Sequence, residues 1–222
     1  MKVIRKYGHF IIVPIYLVFY LLVFQHVESR SGAQVHILHT RLDDMIPFCE
    51  YFIIPYVLWF GYVAAAVIYF GLIGKSRQEY FRLIASLGIG MTLFLAISLV
   101  WPNGHALRPY HFEHENIFVD MVRALYRIDT PTNIFPSIHV FNSIAVAVAA
   151  ADSEALKKHT WVVRGSNVLA LLIVCATVFL KQHTVLDVIS AVCLNLLCVR
   201  FIYRPGYAIG RRSVTERVEV LK

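Results

Sequence analysis

Two short stretches carry residues whose types and spacing could do chemistry. In "FLKQHTVLD", residues 179–187, His183 and Asp187 stand four apart. If a helix begins near Gln182, the two share one face a turn apart and the carboxylate can reach an imidazole nitrogen. An aspartate in that position fixes the tautomer of the histidine and stabilises its positive form, leaving the other ring nitrogen as a nucleophile or base. In "NIFPSIHVFNS", residues 133–143, His139 stands at the start of an apolar run. Pro136 fits a first helical turn, and the amides of Ser137, Ile138 and His139 would then point out of a helix end whose dipole favours an anion. Arg108 in "LRP" and Lys181, two residues before His183, add fixed positive charge. A phosphate group is the natural occupant of such a corner. The plainer reading of the His183 and Asp187 pair is a polar helix end facing water or headgroups, but ionisable residues in a spanning segment mark function by default.

The elements that must position these residues are membrane helices. Of 222 residues 58% are hydrophobic and 16% charged, and the mean hydropathy is +0.63. The charges cluster between apolar stretches of about 20 residues, the length that crosses a bilayer. Six spans are predicted, over residues 10–24, 48–72, 80–100, 136–151, 161–180 and 185–203. The first also resembles a secretory signal peptide, having Lys2, Arg5 and Lys6 before a short apolar run, but "FQHVESRSGA" offers no small-residue cleavage site and a retained helix is expected. With a cytoplasmic N-terminus, fifteen of the 21 Lys and Arg fall on inner segments and nine of the fourteen acids lie outside or at outer helix ends. That bias predicts both termini in the cytoplasm and the histidines at the outer surface. The expected fold class is all-α, a six-helix polytopic bundle forming one domain over residues 1–222. A basic cytoplasmic tail, residues 204–222, is expected to serve orientation rather than a ligand.

Other chemistries find less support. A net charge of +7 invites a nucleic-acid reading, but no basic stripe on a soluble domain accompanies it, and no nucleic-acid partner is expected. Cys49, Cys175, Cys193 and Cys198 fall in or beside apolar spans, where a thiol packs as a small hydrophobe. His105, His111 and His114 in "NGHALRPYHFEHEN" match no metal-ligand spacing, so the loop is read as solvated and interfacial, with no metal and no cofactor expected.

The ordered set "RP", "PS-x-H" and "H-x-x-x-D" resembles the type 2 phosphatidic acid phosphatase superfamily, over roughly residues 108–187. The resemblance implies a helical membrane bundle that cleaves phosphate esters and anhydrides without metal. By position it makes His183 the nucleophile forming a phosphohistidine, Asp187 its orienting carboxylate, and His139 the acid for the leaving oxygen. Arg108, Lys181, Ser137 and helix-end amides would hold the phosphoryl oxygens. This chain departs from the family pattern in having Trp101 seven residues before Arg108 in place of a lysine, Ile138 in place of the glycine of "PSGH", and Thr177 six residues before His183 in place of an arginine. "FPSIHV" with "KQH-x-x-x-D" resembles more closely the branch related to inositol phosphorylceramide synthases, which pass a head group to a lipid alcohol. The resemblance therefore implies hydrolysis of a lipid phosphomonoester or pyrophosphate, of phosphatidic acid or polyprenyl type, with head-group transfer as the alternative. A non-catalytic scaffold or transporter is disfavoured because acid, nucleophile and orienter are all present and the ionisable groups sit at helix ends rather than mid-span. The expected partners are a lipid phosphate and membrane lipids, and the short loops suggest a bacterial plasma membrane with the site on its outer face.

Overall fold

A computed structural model describes residues 8–30 and 34–204; most of the basic tail and the N-terminal Lys2, Arg5 and Lys6 lie outside the described residues. The chain is mostly helical: α1 Ile12–Glu28, α2 Arg41–Met45, α3 Ile53–Ile68, α4 Arg77–Val100, α5 Ile117–Ile128, α6 Ile138–Asp152, α7 Thr160–Phe179 and α8 Val185–Cys198. Two-residue strands, β1 His36–Ile37 and β2 Asn103–Gly104, pair in parallel between the loops that follow α1 and α4. A π-helical turn continues α3 to Ile73 and another continues α8 to Tyr203.

Among the described residues, five helices, including their adjoining turns, are long and apolar enough to cross a membrane: Gly8–Glu28, Glu50–Ile73, Arg77–Val100, Thr160–Phe179 and Val185–Tyr203. The remaining predicted span is α6, which has only 15 residues, about 22 Å at 1.5 Å per residue. It is the central helix, packed against α3, α4, α7 and α8. Phe141, Ala145, Val146 and Ala149 on α6 join Tyr80, Leu83, Leu87 and Ala191 in the main core. Burial on all sides explains why α6 accepts Asn142, Ser143 and His139, whereas the outer helices present Leu171 and Leu196, each 64% exposed, as lipid would require.

Small residues let the helices approach. A methyl group on Gly90 of α4 would overlap the Phe141 ring, so glycine is what allows α4 and α6 to close on each other. Asn195 of α8 donates to the Phe141 carbonyl of α6 at 3.0 Å, an interhelical bond worth about 0.6–2 kcal/mol in lipid. At the far end of the bundle, Arg82 on α4 pairs with Asp152 on α6 at 3.0 Å.

The stretch between α4 and α6, read from sequence as a loop, contains the amphipathic helix α5. Asn116 caps it by accepting from the Val119 amide at 3.0 Å. Val119 and Val122 are buried, and Val122 joins a second cluster with Ile53, Tyr56, Ala176 and Leu180. That cluster clamps the α7–α8 turn, on which His183 stands, and Tyr126 of α5 donates to the Leu180 carbonyl at 2.7 Å.

Candidate active site

The expected helix containing both His183 and Asp187 starts later than its spacing suggested. Thr184 is the N-cap of α8 and Asp187 its third residue, so the two form a capping box: the Thr184 amide donates to Asp187 Oδ2 at 2.7 Å, and the Asp187 amide donates to Thr184 Oγ1 at 3.3 Å. His183 precedes the helix, held by its own amide and that of Gln182 donating to the Thr177 carbonyl at 3.0 and 2.9 Å. The pair forms nonetheless, because the capping carboxylate folds back over the helix end and brings Oδ2 to 3.4 Å from His183 Nδ1. Asp187 is fully buried, and its other oxygen has no hydrogen-bond partner among the described residues.

His139 is the second residue of α6, lodged between the rings of Tyr56 and Trp59 at centroid distances of 4.8 and 4.4 Å. Its Nδ1 lies 3.3 Å from His183 Nε2. Asp187, His183 and His139 thus form one line. His183 Nδ1 makes no hydrogen bond among the described residues; in the tautomer that places its proton on Nδ1, beside Asp187, Nε2 carries a lone pair facing the Nδ1–H of His139. An electrophile entering between the two imidazoles would meet a nucleophilic nitrogen on one side and a proton donor on the other.

Ser137 is fully buried and caps α6, its hydroxyl oxygen accepting from the Val140 amide at 3.3 Å while keeping its own proton to give. Pro136 lies one residue before this cap, outside the first helical turn that its position suggested. Of the three amides expected to face an anion, that of Ser137 donates instead to the Asp187 carbonyl at 3.5 Å, tying the start of α6 to the start of α8. The amides of Ile138 and His139 remain at the helix end.

Arg108 lies over the Tyr126 ring, 4.3 Å from its centroid, and donates to the carbonyls of Tyr126 at 3.1 Å and Asp129 at 2.5 Å. It also donates to Gln182 Oε1 at 2.5 Å, and the amide of that glutamine donates to Asp129 Oδ2 at 3.0 Å, which Tyr56 also reaches at 2.6 Å. Gln182 therefore links Arg108 to the turn that carries His183. The buried Arg108 Nε has no partner among the described residues. Burial pulls the guanidinium below its usual range, and Asp129 opposes that shift. Sequence reasoning gave Gln182, Asp129 and Tyr56 no role; only the folded contacts reveal them.

Lys181 does lie in the turn, with φ of 51°, as a share in the site would require. Its ammonium, however, donates to the carbonyls of Asp43 at 2.8 Å and Ile46 at 2.5 Å, satisfying the end of α2. Asp43 answers from the other side, its Oδ1 accepting the Val185 amide at 2.7 Å, so α2 is laced to the first turn of α8. His105 departs from the solvated loop expected of it. It is 4% exposed, with Nε2 3.1 Å from the Gln182 carbonyl and Nδ1 accepting from the Leu107 amide at 3.1 Å. Burial, with His183 and Arg108 nearby, pushes its pKa down to about 4. Among the described residues no three His, Cys, Asp or Glu side chains converge as a metal-holding group.

Two facing histidines, a buried carboxylate and an arginine thus lie near one another at one end of the central helices. The family model described as the PAP2 superfamily matches residues 106–210. The matched segment, a little under half of the chain, carries every predicted site residue and is similar to a superfamily of membrane phosphatases and phosphotransferases. No curated protein and no solved structure is matched significantly.

Proposed function

We propose that the protein is a lipid phosphatase of the outer membrane surface, with both termini cytoplasmic, that works without a metal ion. The observation supporting this reading above all is the line from Asp187 through His183 to His139. In the first step His183 Nε2 forms a bond to phosphorus as the ester or anhydride oxygen leaves, and that oxygen takes a proton from His139. In the second, His139 removes a proton from water, the water oxygen attacks the phosphohistidine, and the N–P bond breaks to release phosphate. Asp187 holds the positive imidazole ring of the intermediate. Arg108, Ser137 and the Ile138 and His139 amides bind the phosphoryl oxygens, while Lys181 secures the α7–α8 turn from behind.

The test is phosphate release by the purified protein in detergent with a chelator, offering phosphatidic acid, a polyprenyl pyrophosphate and phosphatidylglycerophosphate. Release by the wild type and none by His183→Ala is expected, and equal release by both would overturn the assignment. Transfer to a lipid alcohol is the second reading, favoured by burial: His183 is 5% and His139 8% exposed, an environment that restricts water. It is the reading to adopt if phosphatidylinositol and a lipid alcohol give a transfer product while hydrolysis is absent.

A further inference from the structure

Away from the histidines, α6, α7 and α8 enclose a groove of about 420 Å³ on the outside of the bundle. Ala147 and Ala151 of α6 form its floor and Val192 of α8 one bank. On the other bank Asn167, Leu171 and Val174 recur at the spacing of one edge of α7. Asn167 is the one polar residue in this lining; it is exposed and makes no hydrogen bond among the described residues. Neighbouring polar side chains are answered inside the bundle, Ser166 by Tyr62 at 2.7 Å and Asn195 by the Phe141 carbonyl at 3.0 Å. The 20 residues of α7 span about 30 Å, the thickness of a bilayer core, and Asn167 stands about 10 Å from its start and about 18 Å from its end. Arg164, also exposed, has a side chain long enough to run toward the headgroups, whereas that of Asn167 is too short.

A carboxamide facing hydrocarbon without a partner is costly, and lipid tails offer it neither donor nor acceptor. Two copies of one chain inserted in the same direction are related by a twofold axis along the membrane normal, which sets every residue level with its own counterpart. The partner guaranteed at the depth of Asn167 is therefore a second Asn167, and because a carboxamide both donates and accepts, the two amides close a reciprocal pair. We propose that this groove is the interface of a homodimer: α7 of a second copy lies along the Asn167, Leu171 and Val174 edge, and the two Asn167 amides pair at the axis. The small side chains of Ala147 and Ala151 let the second helix approach closely, and the pairing covers Leu171, which is 64% exposed in the single chain. The turn carrying His183 begins about 18 Å further along α7, so each copy keeps a complete site of its own.

The test counts copies in a bilayer. Fluorescently labelled full-length wild type, Asn167→Leu and Asn167→Gln are reconstituted in phosphatidylcholine vesicles over a range of protein-to-lipid ratios, and the chains in each assembly are counted by single-molecule photobleaching. The wild type is expected to form dimers. In Asn167→Leu, which leaves no cavity on a lipid-facing surface, the ratio at which half the chains are dimeric should rise about tenfold or more. Asn167→Gln, which keeps the carboxamide, should recover most of that loss. Monomers in the wild type at every ratio would show that lipid fills the groove and overturn the proposal. Dimers equally strong in Asn167→Leu would place the interface elsewhere and overturn it as well. The count needs no turnover, so a failure of the phosphatase reading leaves its outcome unaffected.

Discussion

Replacing Asp187 by asparagine isolates charge from geometry, because an amide oxygen can still accept the Thr184 N–H that Oδ2 accepts at 2.7 Å. The helix cap then survives, and an oxygen still faces His183. What disappears is the negative charge 3.4 Å from His183 Nδ1. At an effective dielectric of ~20, a charge pair at that distance is worth at most about 5 kcal/mol, whereas one charge-assisted hydrogen bond contributes about 1.5–3 kcal/mol. With one decade of rate per ~1.4 kcal/mol, the phosphohistidine step should slow by about 10- to 4,000-fold, short of the loss in His183→Ala. The assay is single-turnover phosphate release, with the melting temperature followed in parallel. Thr184→Ala is the counterpart: it removes the cap's hydroxyl, costs about 1 kcal/mol of stability, and leaves the carboxylate charge in place. An Asp187→Asn rate within threefold of wild type would refute the orienting role. So would an equal loss of rate in Thr184→Ala, since the carboxylate would then act only as a cap.

Gln182→Ala should leave Arg108 and Asp129 each short of a buried partner, and the misplaced guanidinium should weaken vanadate inhibition about tenfold, an effect of ~1.4 kcal/mol; unchanged inhibition would show that Arg108 is held without it. His105 makes stability depend on pH. Its folded pKa of about 4 lies below the ordinary 6.5, so the unfolded chain binds the extra proton between those values. Stability should therefore be full above pH 6.5 and fall by about 3 kcal/mol as pH drops to 4. Melting curves across that range should be flatter for His105→Gln, and parallel curves would show that His105 does not titrate on unfolding. Lys181→Met should free the end of α2 and speed tryptic cleavage at the exposed Arg41 while disturbing vanadate inhibition less than Arg108→Ala. The reverse order of inhibition would place the ammonium on the phosphate, as its position in the motif suggested.

The three residues of the proposed proton and phosphoryl path were legible because chemistry restricts their types and because membrane helices restrict where ionisable groups can stand. Apolar length likewise predicts the long helices, and the stretch 136–151 forms α6, which is shorter; a helix enclosed by its neighbours need not be uniformly apolar, and His139, Asn142 and Ser143 are tolerated there for that reason. The amphipathic α5 was hidden because its apolar stripe covers a turn rather than a bilayer. Least legible were contacts that join distant parts of the chain. The direction taken by Lys181 depends on Asp43, 138 residues earlier. The partners of Gln182 are Arg108, Asp129 and Tyr56, and nothing in "KQH" announces them.

Asp187 shows why the site and the fold cannot be read apart. Its side chain caps α8 and faces His183, and its carbonyl receives the Ser137 amide that opens α6. The two helix starts are therefore joined through the residue proposed to orient the nucleophile. The 3.3 Å approach of His139 to His183 follows from how α6 and α8 begin rather than from either histidine alone. A substitution that displaces the whole start of α8, unlike removal of the Thr184 hydroxyl alone, should thus lengthen the His139–His183 distance as well as loosen Asp187. For that reason the Thr184→Ala control must be read by rate and melting temperature together: stability lost with rate retained locates the orienting effect in the carboxylate charge.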